Sequence, residues 1–310
     1  MWKNLVLALL LTSPALGQPR QDLRVAVTFD DVPSVAVARC SSSAARALNQ
    51  RLLAKIERNN MPAAALVVTG PGRCGADQLG AIVNMWLDAG HEIGSHTHSH
   101  RDINALTLSS YIADVDRAHN RLTALLAQHG RRLEYFRHPF LRAGNTAAKQ
   151  SGLARHLRKK GYTIAAVTID NQEWVFAEAY AAAKARNDSA VMRRILPAYY
   201  AHIDSSFAYY EQLSDRLFNR QIPQVLLLHA NEINADHLDE VARVIRARGY
   251  RFISLREALA DSAYRRPDKY VGRVGPSWLQ RWALAAGMKF STEPREPAWL
   301  TESMRSREQD

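Results

Sequence analysis

With 310 residues and 47% hydrophobic content, the chain is too apolar to be disordered as a whole and long enough for one large core or two small ones. A barrel of about 200 to 250 residues fits as a single domain. The formal charge of +11 favours anionic surroundings. Its Arg and Lys residues are scattered, however (Arg131 and Arg132, Lys159 and Lys160, Arg265 and Arg266), and nothing resembles a nucleic-acid motif, so nucleic acid is excluded as a partner. Wall or envelope polyanions remain beside the plainer reading of a solvated basic face.

In chain order, Met1, Trp2 and Lys3 lead into an apolar run at 5–11, and small residues at Ala15 and Gly17 predict a secretory leader cleaved after Gly17. That run is too short to span a bilayer of about 30 Å, and no later segment is apolar enough, so no membrane span is expected after cleavage. Export would put Cys40 and Cys74 where they can pair, although sequence alone leaves two separate thiols as the alternative.

Residues 23–29 predict a buried strand and 43–59 a helix that Pro62 ends. A strand at 63–68 and a helix at 77–89 lead to a short strand at Glu92 and Ile93. A helix at 107–128, a strand at 133–136, a helix at 147–160 and a strand at 162–169 follow. Strand 225–228, helix 238–248 and strand 251–254 complete the pattern. Strands alternating with long helices predict an α/β chain, a barrel or doubly wound sheet of about seven parallel strands.

The stretch 175–221 interrupts the alternation with helical spacing (Val191, Ile195, Tyr199, Ile203) and reads as two helices inserted before the last strands. Its Tyr199, Tyr200, Phe207, Tyr209 and Tyr210 suit core packing better than a sugar-binding wall. From residue 263 the pattern loosens into a C-terminal extension with one amphipathic stretch, 277–286, holding Trp278 and Trp282.

In a parallel βα architecture the C-terminal ends of the strands form the functional face. Asp30 and Asp31 follow the first strand, the segment His96-Thr97-His98-Ser99-His100 the third, Arg137 the fourth, Asp170 the fifth and His229 the sixth. One carboxylate and two imidazoles with an open position make a ligand set for a catalytic divalent ion. A helical turn would pair His96 with His100, whereas an extended segment would add His98.

Thr28-Phe29-Asp30-Asp31-Val32-Pro33, the histidine segment, Arg137-His138-Pro139-Phe140, Asp170 to Trp174, and Leu226-Leu227-Leu228-His229 resemble, in order and spacing, the five motifs of polysaccharide deacetylases. The resemblance, to the NodB homology domain of carbohydrate esterase family 4, covers residues 23–260. It implies a distorted (β/α) barrel, here a domain at 18–262, and an enzyme removing N-acetyl groups, with O-acetyl as the alternative, from a glycan outside the cytoplasm. It implies Asp31, His96 and His100 as metal ligands, with His98 at a variable position. Asp30 matches the base that takes a proton from the attacking water, His229 the acid that protonates the leaving amine, Arg137 the residue that orients the base, and Asp170 the one that tunes His229. The Phe140 N–H matches an oxyanion donor; Trp174 and Leu227 are candidates for the wall and floor of the sugar pocket. The mixed N and O donors suit Zn²⁺ first, with Co²⁺, Ni²⁺ and Mn²⁺ admitted. No protein partner is implied. The chain departs from the pattern at Val32, where Gly is usual, and at Asp170-Asn171-Gln172-Glu173-Trp174, where the usual fourth position is Asp. A glycan-binding pseudoenzyme and a same-fold hydrolase of small amides are the alternative functions.

Overall fold

The computed structural model describes residues 22–35, 41–70 and 76–300. The expected leader at 1–17 and both cysteines, Cys40 and Cys74, lie outside these residues. Strand β1 (Arg24–Val32) is followed by helix α1 (Ser42–Arg58), β2 (Ala63–Val67) by α2 (Ala76–Asp88), and β3 (Glu92–Ser95) by α3 (Leu108–Ala127). Next come β4 (Tyr135–Phe136) with α4 (Ala147–Lys159), then β5 (Thr163–Ile164) with the inserted α5 (Glu173–Ala185) and α6 (Ser189–Phe218). The series ends with β6 (Gln224–His229) and α7 (Glu232–Ala247), β7 (Arg251–Phe252) and α8 (Leu255–Leu259), and α9 (Trp278–Ala285) in the extension.

All strand pairings among the described residues are parallel, and the sheet runs β5-β4-β3-β2-β1-β6, with β7 joined to the start of β1. The sheet curls until its two ends meet. Ala165 N–H donates to Phe136 O at 2.9 Å, while Thr168 and Ile169 N–H both donate to Val225 O at 3.0 Å. Residues 165–169 thus stitch the β4–β5 end to β6, giving the distorted barrel that the resemblance implies rather than the doubly wound sheet that the strand alternation also allows. Of the strand expected at 162–169, only Thr163 and Ile164 form a ladder and Ile169 a lone bridge to Leu226.

Side-chain alternation along β1 sorts the interior into two regions. Val25, Val27 and Phe29 join the large core beneath the helices, whereas Ala26 joins Ala64, Leu66, Tyr135, Ala165, Val225 and Ile253 inside the barrel, with Leu255 and Ala258 of α8. Four of these residues are alanines, and Thr28 and Asp30 of β1 lie within reach of Arg137.

Four of the five inserted aromatic residues are core, as their spacing suggests: Tyr199, Phe207 and Tyr210 have no exposed surface and Tyr209 almost none, whereas Tyr200 is partly buried against them. Trp278 and Trp282 of α9 are buried as well, and the Trp278 N–H donates to Val167 O at 2.7 Å, so the extension is anchored on the segment that closes the barrel. No helix of the described residues is long and apolar enough to cross a membrane.

Candidate active site

The five polar groups expected at the strand ends do converge. A cavity of about 680 Å³ at the C-terminal end of the sheet is lined by Asp30, Asp31, His96, His100, Asp170, Leu227 and His229, with Phe140 and Trp174 at its rim. Four of the large apolar side chains most exposed among the described residues, Val35, Phe140, Trp174 and Val274, ring this one opening. Exposed apolar surface gathered around a polar pocket marks a binding mouth.

Local backbone geometry turns the two aspartates apart. The β1–β2 register shifts between Phe29 and Val32, and Asp31 sits at φ 61°, in the left-handed region that Asp tolerates better than most residues. The departure at Val32 is therefore absorbed one residue earlier: Val32 stays extended and pairs with Val67 while Asp31 takes the unusual conformation. Asn49 of α1 anchors the following turn, its amide donating to Pro33 O at 2.8 Å while its Oδ1 accepts from Trp86 Nε1 of α2 at 2.9 Å.

The histidine segment is held by a residue that the motif reading does not include. The backbone N–H groups of His98 and Ser99 both donate to Asp114 Oδ2 of α3, at 3.1 and 3.0 Å, and the Ser99 hydroxyl donates to Oδ1 at 2.8 Å. His100 is in the left-handed region at φ 52°, its N–H donating to Thr97 Oγ1 at 3.1 Å. In this turn His96 and His100 face one centre, with ring centroids 4.8 Å apart, whereas His98 points away and pairs with Thr69 Oγ1 at 3.0 Å. Removal of the scaffold by Asp114→Ala should weaken metal binding about 10- to 100-fold, read by competition with a chromogenic chelator. Unchanged affinity would show that the turn holds its shape without Asp114.

The donor set fits a divalent cation. One ligand atom each from Asp31, His96 and His100 lie within 4.8 Å of one another. His96 Nδ1 sits 3.0 Å from Arg137 O, which places the proton on Nδ1 and leaves the Nε2 lone pair for a metal. Burial, and then the neighbouring His100, push the His96 pKa well below its ordinary value, so the imidazole is neutral as a ligand must be.

Beside this triad lies Asp30. Arg137, fully buried in the barrel, donates from Nη1 to Asp30 Oδ1 and Thr28 Oγ1, both at 2.7 Å, and from Nε to Ala165 O at 2.9 Å. Burial raises the Asp30 carboxyl to about 6 although Arg137 and His229 pull the other way. A carboxylate that ionises just below neutrality and keeps Oδ2 uncommitted to Arg137 suits a general base.

On the opposite side, His229 Nδ1 bonds Glu173 Oε2 at 2.7 Å. The hydrogen bond that orients the imidazole thus comes from Glu173, and not from Asp170, the residue that the resemblance implies. The physical reason is the left-handed turn at Gln172 (φ 52°), which starts α5 with Glu173 aimed inward. Glu173 Oε1 is in turn fixed by the side-chain amides of Asn231 and Asn234. Burial alone would lower the His229 pKa; the charge and hydrogen bond of Glu173, joined by Asp31 and Asp30, outweigh it and raise it to about 9. Asp170 lines the same cavity, but its N–H contact is from Gln172 at 3.3 Å, and burial plus the nearby Glu293 raise it to about 6. The sequence signal for Glu173 was its place in the fourth motif, where an acid one methylene longer stands for the usual Asp.

Trp174 is about half exposed at the rim, and Leu227 forms buried wall. Phe140 lies in a tight turn at φ 56°, its ring 4.7 Å from that of His100. The N–H groups of Leu141 and Arg142 are taken by His138 O and Pro139 O, which leaves the Phe140 N–H as the turn's donor for a ligand.

Among known proteins, the sequence model of the family described as polysaccharide deacetylase matches residues 17–165. A search of curated proteins gives no match. Among solved structures, the chain is similar to the chitin deacetylase of the fungal pathogen Colletotrichum lindemuthianum, at 19% identity over 79% of this chain and 91% of that one, with a TM-score of 0.55. It is also similar to a polysaccharide deacetylase from Bacillus cereus, at 16% identity over 75% and 91%, with a TM-score of 0.51. At these identities the structural likeness speaks for the fold. The match over residues 17–165, just under half of the chain, makes that part similar to the polysaccharide deacetylase family, and the solved structures share its fold.

Proposed function

We propose that the protein is a metal-dependent hydrolase that removes N-acetyl groups from a glycan outside the cytoplasm. The observation that carries this reading is the convergence, in one cavity, of a ready ligand triad, Asp31, His96 and His100, with a base held by Arg137 and an acid held by Glu173. A pseudoenzyme needs no such pairing of proton acceptor and donor, and the ring of apolar groups at the mouth suits a sugar better than a small amide. The leader pattern at 1–17 supports the placement outside the cytoplasm.

A divalent ion held by Asp31, His96 and His100, most simply Zn²⁺, would supply Lewis acidity, polarising the acyl carbonyl and making water more acidic. Asp30 takes the proton of the attacking water at Oδ2 while Arg137 holds Oδ1. As the water oxygen bonds the carbonyl carbon, the Phe140 N–H donates to the developing oxyanion, in the manner of a preorganised dipole. His229, protonated at both ring nitrogens, gives the Nε2 proton to the departing amine as the C–N bond breaks. Trp174 offers a face for a sugar ring and Leu227 an apolar contact for the acyl methyl.

The test is acetate release from acetylated glycans by protein stripped with a chelator and then reloaded with Zn²⁺ or Co²⁺. Metal-restored release supports the reading and names the substrate class. Release from small acyl amides alone would transfer the activity to that class, and stoichiometric metal and glycan binding without acetate would mark a binding protein.

A further inference from the structure

The C-terminal extension lies outside the five motifs, yet it grips the turn that carries the Phe140 N–H. Arg281, buried on α9, donates from Nη2 to Leu141 O, from Nη1 to Asp268 Oδ2 at 2.7 Å and from Nε to Pro276 O at 3.0 Å. Its guanidinium is set between the rings of Trp278 and Tyr270, at 4.6 and 5.2 Å. From the same segment Gly275 presses against the turn so closely that a Cβ there would fall 1.9 Å from Phe140 O and 2.8 Å from Leu141 C.

These contacts bear on a turn that needs support. Phe140 and Leu141 both have positive φ, at 56° and 53°, a conformation that costs free energy in any residue but glycine and persists only where the surroundings enforce it. Two enforcing contacts come from the extension: Arg281 takes the carbonyl of Leu141, and Gly275 admits the backbone of Phe140. Val274, Gly275 and Pro276 then continue as one wall of the cavity.

We propose that Arg281 and Gly275 are positioning residues, which hold the Phe140–Leu141 turn so that the Phe140 N–H faces the reacting carbonyl. The extension is thereby part of the active site. The proposal rests on the deacetylase reading for its kinetic consequence and on geometry alone for the hold itself.

Arg281→Lys retains the charge beside Asp268 but lacks the planar fork that reaches Leu141 O and Pro276 O at once. Gly275→Ala pushes on the turn from the other side and leaves Arg281 intact. Each should lower kcat about 100-fold with KM changed less than about threefold, because a donor displaced by about an ångström loses the transition state more than the ground state. Hydrogen exchange of the 140–142 amides should speed up in both variants while metal affinity stays at the wild-type level. Wild-type kcat and unchanged exchange in both variants would overturn the proposal, as would a rise in KM alone. If the wild-type protein released no acetate from any glycan, the deacetylase reading would fail, and exchange at 140–142 would still decide whether the extension holds the turn.

Discussion

Asp30→Asn should lower kcat for acetate release by about 10²- to 10⁴-fold, the range of a general base, while metal stoichiometry stays unchanged. The asparagine carbonyl can still accept from Arg137 Nη1, now 2.7 Å from Asp30 Oδ1, so the pair survives with its shape. The other end of the side chain becomes an amide that cannot take a proton at neutral pH. His96→Ala behaves differently, since it removes a member of the ligand triad and should lose metal and turnover together. Elemental analysis beside acetate release separates the two outcomes. An asparagine variant with full activity would take the base role away from Asp30.

Glu173→Gln should move the alkaline limb of the kcat profile to lower pH. His229 has its pKa raised to about 9, and it must be protonated to act as the acid, so wild-type activity is lost as pH rises through about 9. Without the Glu173 charge the imidazole returns toward its ordinary value of about 6.5, and burial presses it lower still. At pH 8 most wild-type molecules carry the proton and only about one in thirty variant molecules does, a loss of about 30-fold that shrinks toward pH 6. The same sign governs folding: a raised histidine pKa stabilises the native state below about pH 6.5, and that stabilisation goes as pH passes about 9. Two superimposable pH profiles would detach Glu173 from the acid, whereas a parallel shift in Asp170→Asn would return Asp170 to that role.

Much of this was legible in the sequence because apolar periodicity reports burial directly. The helices at 42–58 and 108–127 and the parallel order of strands follow from it. Where the strand bounds differ, one physical reason is that polar residues inside the barrel look like loop. Strand β1 runs on through Asp30 and Asp31 to Val32, beyond the strand expected at 23–29, and inside the barrel Arg137 donates to both Thr28 and Asp30 of that strand. Helix α7 starts at Glu232 rather than 238, since Asn231 caps it by accepting from the Asn234 N–H. In the other direction, 162–169 is apolar enough for a strand but spends its hydrogen bonds on two different neighbours. Spacing shows only which acids lie near His229, Asp170 among them, and the turn at Gln172 that selects Glu173 has no signature in composition. The hold on Phe140 and Leu141 is exerted through backbone atoms, which sequence periodicity does not report.

The central strand β1 lies near the start of the chain, and one of its edges is completed by β6, with Thr28 donating to Leu226 O across 198 residues. During synthesis that edge waits until β6 has emerged. At about 5–20 residues per second, the wait is on the order of 10 to 40 seconds. Asp30 has no His229 opposite it during that time, and the seam at 165–169 has no β6 to close on. A chain that stops short of β6 therefore lacks His229 opposite Asp30, so that the proposed acid joins the proposed base only once β6 has been made and has paired with β1.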